Sequence, residues 1–214
     1  MITNIEALYE VLSESMDHAT WWDTENLWEI VVGAILVQNT NWKNVDYSLT
    51  NIREKIGFDP QALAAIDQLE LQELIRPSGF YKNKSRALKE LFDWFQDNHF
   101  DIQALQKRDQ PSLREELLTI RGIGQETADV LMVFIFNKVV FIADKYAQRI
   151  FKQLGVEETL TYSKLQGMIQ LPADFTNEQA QNLHGWLVDY GQVHLRSADA
   201  WQAGVLSDFE LQQE

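Results

Sequence analysis

The chain has 214 residues, no cysteine and a formal net charge of −14. Disulfides and thiolate metal sites are therefore excluded, no apolar run nears the ~20 residues of a membrane span, and Met1 to Ala19 lacks the pattern of a signal peptide. An apolar content of 45% is ample for a core, which points to a cytoplasmic globular protein with no membrane partner.

The pattern is helical from end to end. Ile5, Leu8, Tyr9 and Leu12 recur at helical spacing and predict a first amphipathic helix. Trp21-Trp22-Asp23 follows as a loop. Asn26 with Glu29 has the form of a cap pair, and Leu27 to Val37 is apolar nearly all round, as a buried central helix would be. Gln38-Asn39-Thr40-Asn41-Trp42 ends it and leads into a helix over 43–55. Asp59-Pro60 opens a short helix, 69–75 forms another, and Pro77-Ser78-Gly79 breaks it. A longer helix runs from Phe80 to about Asn98. Ser112 with Glu115 caps a helix over 113–118, and 125–136 forms the next. Helices over 145–154, stopped by Gly155, then 162–169 and 176–190 complete the set, and the polar tail after Trp201 is expected to be loose.

Charge is uneven along this order. Residues 1–42 hold seven acidic and no basic residues, and residues 153–214 hold nine acidic and two basic. The middle is balanced at sixteen of each, and Arg76 to Lys89 carries five basic residues with no acidic one. A local basic stripe can neutralise a few phosphates while the rest of the surface repels nucleic acid.

Two features carry chemistry. Ile120-Arg121-Gly122-Ile123-Gly124 is a tight glycine turn between two helices. The amides at the start of the second helix would point outward with a favourable dipole, which makes an anion site suited to phosphate. Twenty residues after Gly124, Asp144 emerges from the apolar run Val139 to Ala143, where an acid–base carboxylate can be held partly desolvated. Asp144 equally fits a plain N-cap for the helix that starts at Lys145.

The stretch Leu117 to Phe151, with Thr127-Ala128-Asp129 and Ala143-Asp144-Lys145-Tyr146, resembles the helix-hairpin-helix motif and downstream Asp of the endonuclease III superfamily of DNA glycosylases. The resemblance extends from about Thr20 to Gly191. It implies an all-α fold of two helical lobes with an active cleft between them. One lobe is a six-helix barrel, 26–138, with the hairpin at about 113–136. The other joins 1–25 to 139–214 and carries Asp144. Double-stranded DNA with a damaged base is the implied partner, bound by a monomer.

By the same resemblance Asp144 activates water or stabilises an oxocarbenium-like sugar. Glu126 stands where bifunctional members carry the Schiff-base lysine, so no lyase chemistry is expected there; a neighbouring Lys145 acting as a stand-in amine is the less favoured alternative. Gly122, Ile123 and Gly124 would hold a phosphate. The carbonyls of Leu118, Ile120 and Ile123 would hold a monovalent cation. Many relatives bind an iron–sulfur cluster through four C-terminal cysteines; here that stretch reads Tyr190 to Arg196 and the cluster cannot form.

Gln38 and the Phe80-Tyr81 pair match the positions that fill the stack after base flipping, and Lys82 and Lys84 belong to the basic stripe on DNA. Trp21, Trp22 and Trp42 look closest to the branch that excises 3-methyladenine. Trp42 and one of the Trp21-Trp22 pair would sandwich the base, with Lys145 lining the pocket. Each tryptophan, and Phe80, fits core packing as well. The expectation is a monofunctional glycosylase for alkylated purines. The alternatives are a mismatch or oxidised-pyrimidine glycosylase and a non-catalytic helix-hairpin-helix protein.

Overall fold

The computed structural model describes residues 1–17, 22, 24–156 and 159–212. Among these, the helices in chain order are α1 (Ile5–Ser15), α2 (Leu27–Leu36), α3 (Trp42–Lys55), α4 (Pro60–Ala65), α5 (Gln68–Leu74), α6 (Tyr81–Asp97) and α7 (Ile102–Gln106). They continue as α8 (Gln110–Thr119), α9 (Gln125–Phe134), α10 (Lys145–Gln153), α11 (Tyr162–Met168), α12 (Asn177–His194) and α13 (Ala198–Gln202), with a 3₁₀ turn at Arg76–Ser78 before α6. The one β feature among the described residues is an isolated bridge between Ile2 and Ile169, so the fold is all-α. The chain divides into two compact units, Trp22–Lys138 and Met1–Trp21 with Val139–Glu214.

The unit Trp22–Lys138 is built round α2. Every residue of α2 from Glu29 to Leu36 is buried, and α3, α6 and α9 pack against it. Gly33 faces the ring of Trp22; a Cβ there would lie 2.5 Å from that ring, so this contact requires glycine. Asn26 caps α2 by accepting the amides of Trp28 and Glu29. The Glu29 side chain does not complete a capping box. It crosses to the guanidinium of Arg53 on α3, because burial makes an opposite charge the better partner.

Two helix starts differ from the sequence expectation. The helix expected at 113–118 begins at Gln110, because Asp109, not Ser112, is the cap and accepts the Ser112 amide at 3.2 Å. Helix α7, capped by Asp101, is five residues long and too short to show a periodic pattern. Helices α8 and α9 are joined by a buried staple: Arg114 donates Nε to Oδ1 of Asp129 at 2.6 Å and Nη2 to Oδ2 at 2.9 Å. This two-pronged pair ties together the helices on either side of the glycine turn.

The other unit pairs the two ends of the chain. Ile5, Leu8 and Leu12 of α1 are buried, α1 packs against α12, and Tyr9 meets the rings of Phe175 and Trp186. Helices α10 and α12 approach closely at Gly191, where a Cβ would lie 2.6 Å from the Tyr146 ring. The tail expected to be loose is docked. Leu206 is fully buried and its amide donates to the Tyr190 hydroxyl at 3.1 Å. Further on, the Gln212 amide donates to Oδ1 of Asn4 at 2.9 Å. The tail is held here by one buried leucine and by backbone amides that donate to distant side chains, partners that composition does not reveal.

Candidate active site

Asp144 ends the apolar run from Val140 and opens α10. Its Oδ1 accepts the Ala147 amide at 2.8 Å, so it is the N-cap. Unlike an ordinary cap it is only 6% exposed. Burial pushes its carboxyl up to about 6, against the lowering pull of the Ala147 and Tyr146 amides. At neutral pH it is a desolvated carboxylate held by a helix start, poised to interact strongly with any positive charge that develops nearby. Lys145 beside it is exposed and forms no ion pair with Asp144.

The hairpin turn lies in the unit Trp22–Lys138. Gly122 has φ +87°, and a Cβ on it would lie 2.6 Å from that of Ala87 on α6. Only glycine meets both demands. Gly124 is different. Its φ is −89°, and the space where its Cβ would stand is open. Gly124 has no side chain with which to cap the start of α9. Glu126 is exposed in the first turn, and Arg121 is exposed on the turn itself. The Arg121 amide is fixed by Oε2 of Glu90 at 3.1 Å. Among the carbonyls assigned to a cation, that of Ile120 also accepts the Ile123 amide at 3.1 Å.

Gln38 does not stand out from the surface. It is half-buried, and its Nε2 donates to the Gly122 carbonyl at 3.1 Å and to Oγ1 of Thr127 at 2.9 Å. It ties the end of α2 across the hairpin. Phe80 does stand out. It is 64% exposed and sits at φ +47° as the residue before α6. A non-glycine residue with positive φ costs free energy, and a phenyl left this exposed gains little from burial, so Phe80 is not a core residue. Tyr81 is half-buried with the Arg76 guanidinium 4.9 Å over its ring.

Two lysines of the basic stripe are consumed by the fold. Lys84 is 2% exposed, and its Nζ donates to the carbonyls of Leu36 at 2.8 Å and Ser78 at 2.7 Å. It does not reach a phosphate, which corrects the expectation for it. Its position on the inner face of α6 decided this, and the run of charges hid it. Desolvation lowers its amine to about 8. Lys89 donates to the carbonyls of Ala64 and Ile66, and Arg76 pairs with Glu73. Lys82 remains exposed, with Arg86 beside it partly so.

Trp42, at the start of α3, is 46% exposed. Trp22 meets it edge to face, centroids 5.4 Å apart with an interplanar angle of 67°, and meets Phe134 in the same manner at 6.0 Å. Trp22 is thus packed between Gly33, Phe134 and Trp42, and rings in this contact leave no slot for a base between them. Trp22 serves as a wall behind Trp42. Trp21 lies outside the described residues.

The Tyr190–Arg196 stretch is the end of α12, with His194 stacked on Tyr190 at 4.3 Å. Beside it Tyr146, Arg149, Gly191, Gln192, Leu195 and Arg196 line an open groove of about 350 Å³.

The sequence pattern of HhH-GPD superfamily base excision DNA repair proteins matches residues 32–183. A Methanocaldococcus jannaschii protein named as a DNA repair glycosylase is 35% identical over 191 residues, covering 87% of this chain and 86% of that one. Endonuclease III of Sulfolobus acidocaldarius is 26% identical over 176 residues, covering 81% and 76%. Among solved structures, H. pylori 3-methyladenine DNA glycosylase bound to 1,N6-ethenoadenine superposes with a TM-score of 0.72 at 26% identity, covering 88% of this chain and 96% of that one. An all-α fold, a glycine hairpin stapled between two helices and a buried Asp opening the next helix agree with these likenesses: the chain belongs to the HhH-GPD superfamily of base excision DNA repair proteins, as a DNA glycosylase.

Proposed function

We propose that this enzyme is a monofunctional glycosylase that releases alkylated purines, chiefly 3-methyladenine, from duplex DNA. The observation that carries the substrate class is Trp42: a large indole, half-exposed and backed edge-on by Trp22, is a stacking platform for an electron-poor or cationic ring. The H. pylori relative, named as a 3-methyladenine glycosylase, supports the same class.

In this reading the hairpin amides from Gly122 to Gly124 and the exposed Lys82 hold the strand, and Phe80 enters the stack where the base has left. The C1′–N bond of the damaged nucleotide breaks with its electron pair leaving on the base. The positive charge of 3-methyladenine makes that departure easy. The Asp144 carboxylate stabilises the sugar cation, and a water adds at C1′, giving up a proton. Glu126 offers no amine, so the reaction stops at the abasic sugar. A monovalent cation held by the carbonyls of Leu118, Ile120 and Ile123 fits this scheme, because neutral hard oxygens suit an alkali ion. It would add positive charge beside the phosphate and offset Glu126. No other cofactor is required.

A second reading, an endonuclease III-type enzyme for mismatched or oxidised pyrimidines, draws on the Sulfolobus relative. Excision from a panel of duplexes separates the two. Release of free 3-methyladenine with an unbroken abasic strand is the expected result. Release of thymine from G·T, or of an oxidised pyrimidine, with 3-methyladenine left in place would establish the second reading.

A further inference from the structure

Lys84 is buried on α6, which packs against α2, and a lysine is rarely so placed unless its ammonium is paired. Its two bonds have a common logic. The Leu36 carbonyl lies two residues before Gln38, and the Ser78 carbonyl lies two residues before Phe80. Gln38 is itself bonded to the hairpin at Gly122 and Thr127. One ammonium thus joins the segment that holds the hairpin to the segment that presents Phe80. The second anchor is reinforced, since the Ser78 amide donates to the buried Ser48 hydroxyl at 3.1 Å.

We propose that Lys84 is a positioning residue that fixes Phe80 in register with the phosphate-holding hairpin, so that strand grip and stack filling occur at one step of the duplex. This rests on the reading of Phe80 as the stack-filling side chain. The physical case is one of tolerance. The segment from Gly79 to Phe80 holds two successive positive φ values, at +70° and +47°. Such a turn persists only when its surroundings over-determine it. A buried charge bonded to two carbonyls does this better than apolar packing, because it fixes direction as well as distance.

The test uses a duplex with a stable tetrahydrofuran abasic site and 2-aminopurine stacked beside it. Entry of a side chain into the stack changes the fluorescence. Binding is followed separately by anisotropy, so the signal is read at saturation. Wild-type protein should change the fluorescence, and Phe80→Ala should abolish the change. Lys84→Met should bind the duplex yet lose more than half of the saturating signal, because a support about 1 Å too loose no longer delivers its side chain. A Lys84→Met protein that binds more weakly but gives the full signal at saturation would overturn the proposal and make Lys84 purely structural. A full signal from Phe80→Ala would instead remove the reading on which the proposal rests. Should Lys84→Met not fold, Lys84→Gln takes its place with the same two outcomes, since its shorter amide cannot reach both carbonyls.

Discussion

The amide nitrogen of Gln38 lies 3.1 Å from the carbonyl oxygen of Gly122, a residue 84 positions away, and fastens the end of α2 to the hairpin turn. The same nitrogen reaches Thr127 in the first turn of α9, so one side chain spans both sides of the turn. The hairpin is thereby held at its turn by Gln38 and between its helices by the Arg114–Asp129 staple. Removing the tie at the turn by Gln38→Ala should cost about 1 kcal/mol of stability, the usual worth of neutral hydrogen bonds. It should also weaken binding to damaged and undamaged duplexes alike, as read by anisotropy. Unchanged affinity with lowered stability would confine Gln38 to the fold.

Asp144 gives a prediction whose sign is set by linkage. Its folded value, about 6, lies above that of an exposed aspartate, so the folded state holds the proton more tightly. Stability contributed by that proton is present at low pH and lost as pH rises through about 6. Asp144→Asn keeps an oxygen to cap α10 and never ionises. It should therefore be more stable than wild type at pH 7.5, by about 1–3 kcal/mol, with the gain absent near pH 4. The same change should slow base release ~10²-fold or more, through loss of the transition-state charge. Wild-type release should likewise decline as pH falls below about 6, where Asp144 takes up its proton. Thermal melts across pH and single-turnover release check both halves. Equal melting at every pH would show that the carboxylate is not desolvated.

Glu126 predicts the absence of a covalent intermediate. Borohydride should trap no enzyme–DNA adduct, because a carboxylate forms no Schiff base. A trapped species lost on Lys145→Ala would assign the amine to Lys145, which is exposed beside Asp144. It would also end the monofunctional reading.

The fate of the basic stripe bears on salt dependence. With Lys84 buried and Lys89 bonded to the carbonyls of Ala64 and Ile66, Lys82 is the lysine of the stripe left to meet phosphate. Lys82→Glu should weaken binding to all duplexes, and the slope of log K against log salt should fall by about 0.9, the value for one phosphate. A shift in base preference with an unchanged slope would place Lys82 in the pocket instead.

What was legible in the sequence is local chemistry. Asn26, Asp59 and Asp144 were readable as helix starts because their side chains bond to amides two or three residues on. Gly122 was readable because its turn is short. The same locality misled at Ser112, where Asp109 three residues earlier was the stronger acceptor. Long-range partners were not legible. Nothing near Lys84 says that its ammonium ends at Leu36 and Ser78, and nothing near Gln38 points to Gly122. The three tryptophans were readable as a group, yet the division of labour between Trp22 and Trp42 depends on Gly33, whose lack of a side chain admits one indole and leaves the other at the surface.

The alkylpurine assignment is tested most directly by measuring 3-methyladenine release and melting temperature together for Trp42→Ala. Trp42 is 46% exposed, so its removal should cost less stability than the ~3–5 kcal/mol of a buried tryptophan. Loss of one stacking face, worth ~1–3 kcal/mol, should lower single-turnover release roughly 10- to 100-fold. Near-normal melting with strongly reduced release is the result expected. A variant that melts far lower yet releases 3-methyladenine at the wild-type rate while folded would make Trp42 a packing residue and contradict the account.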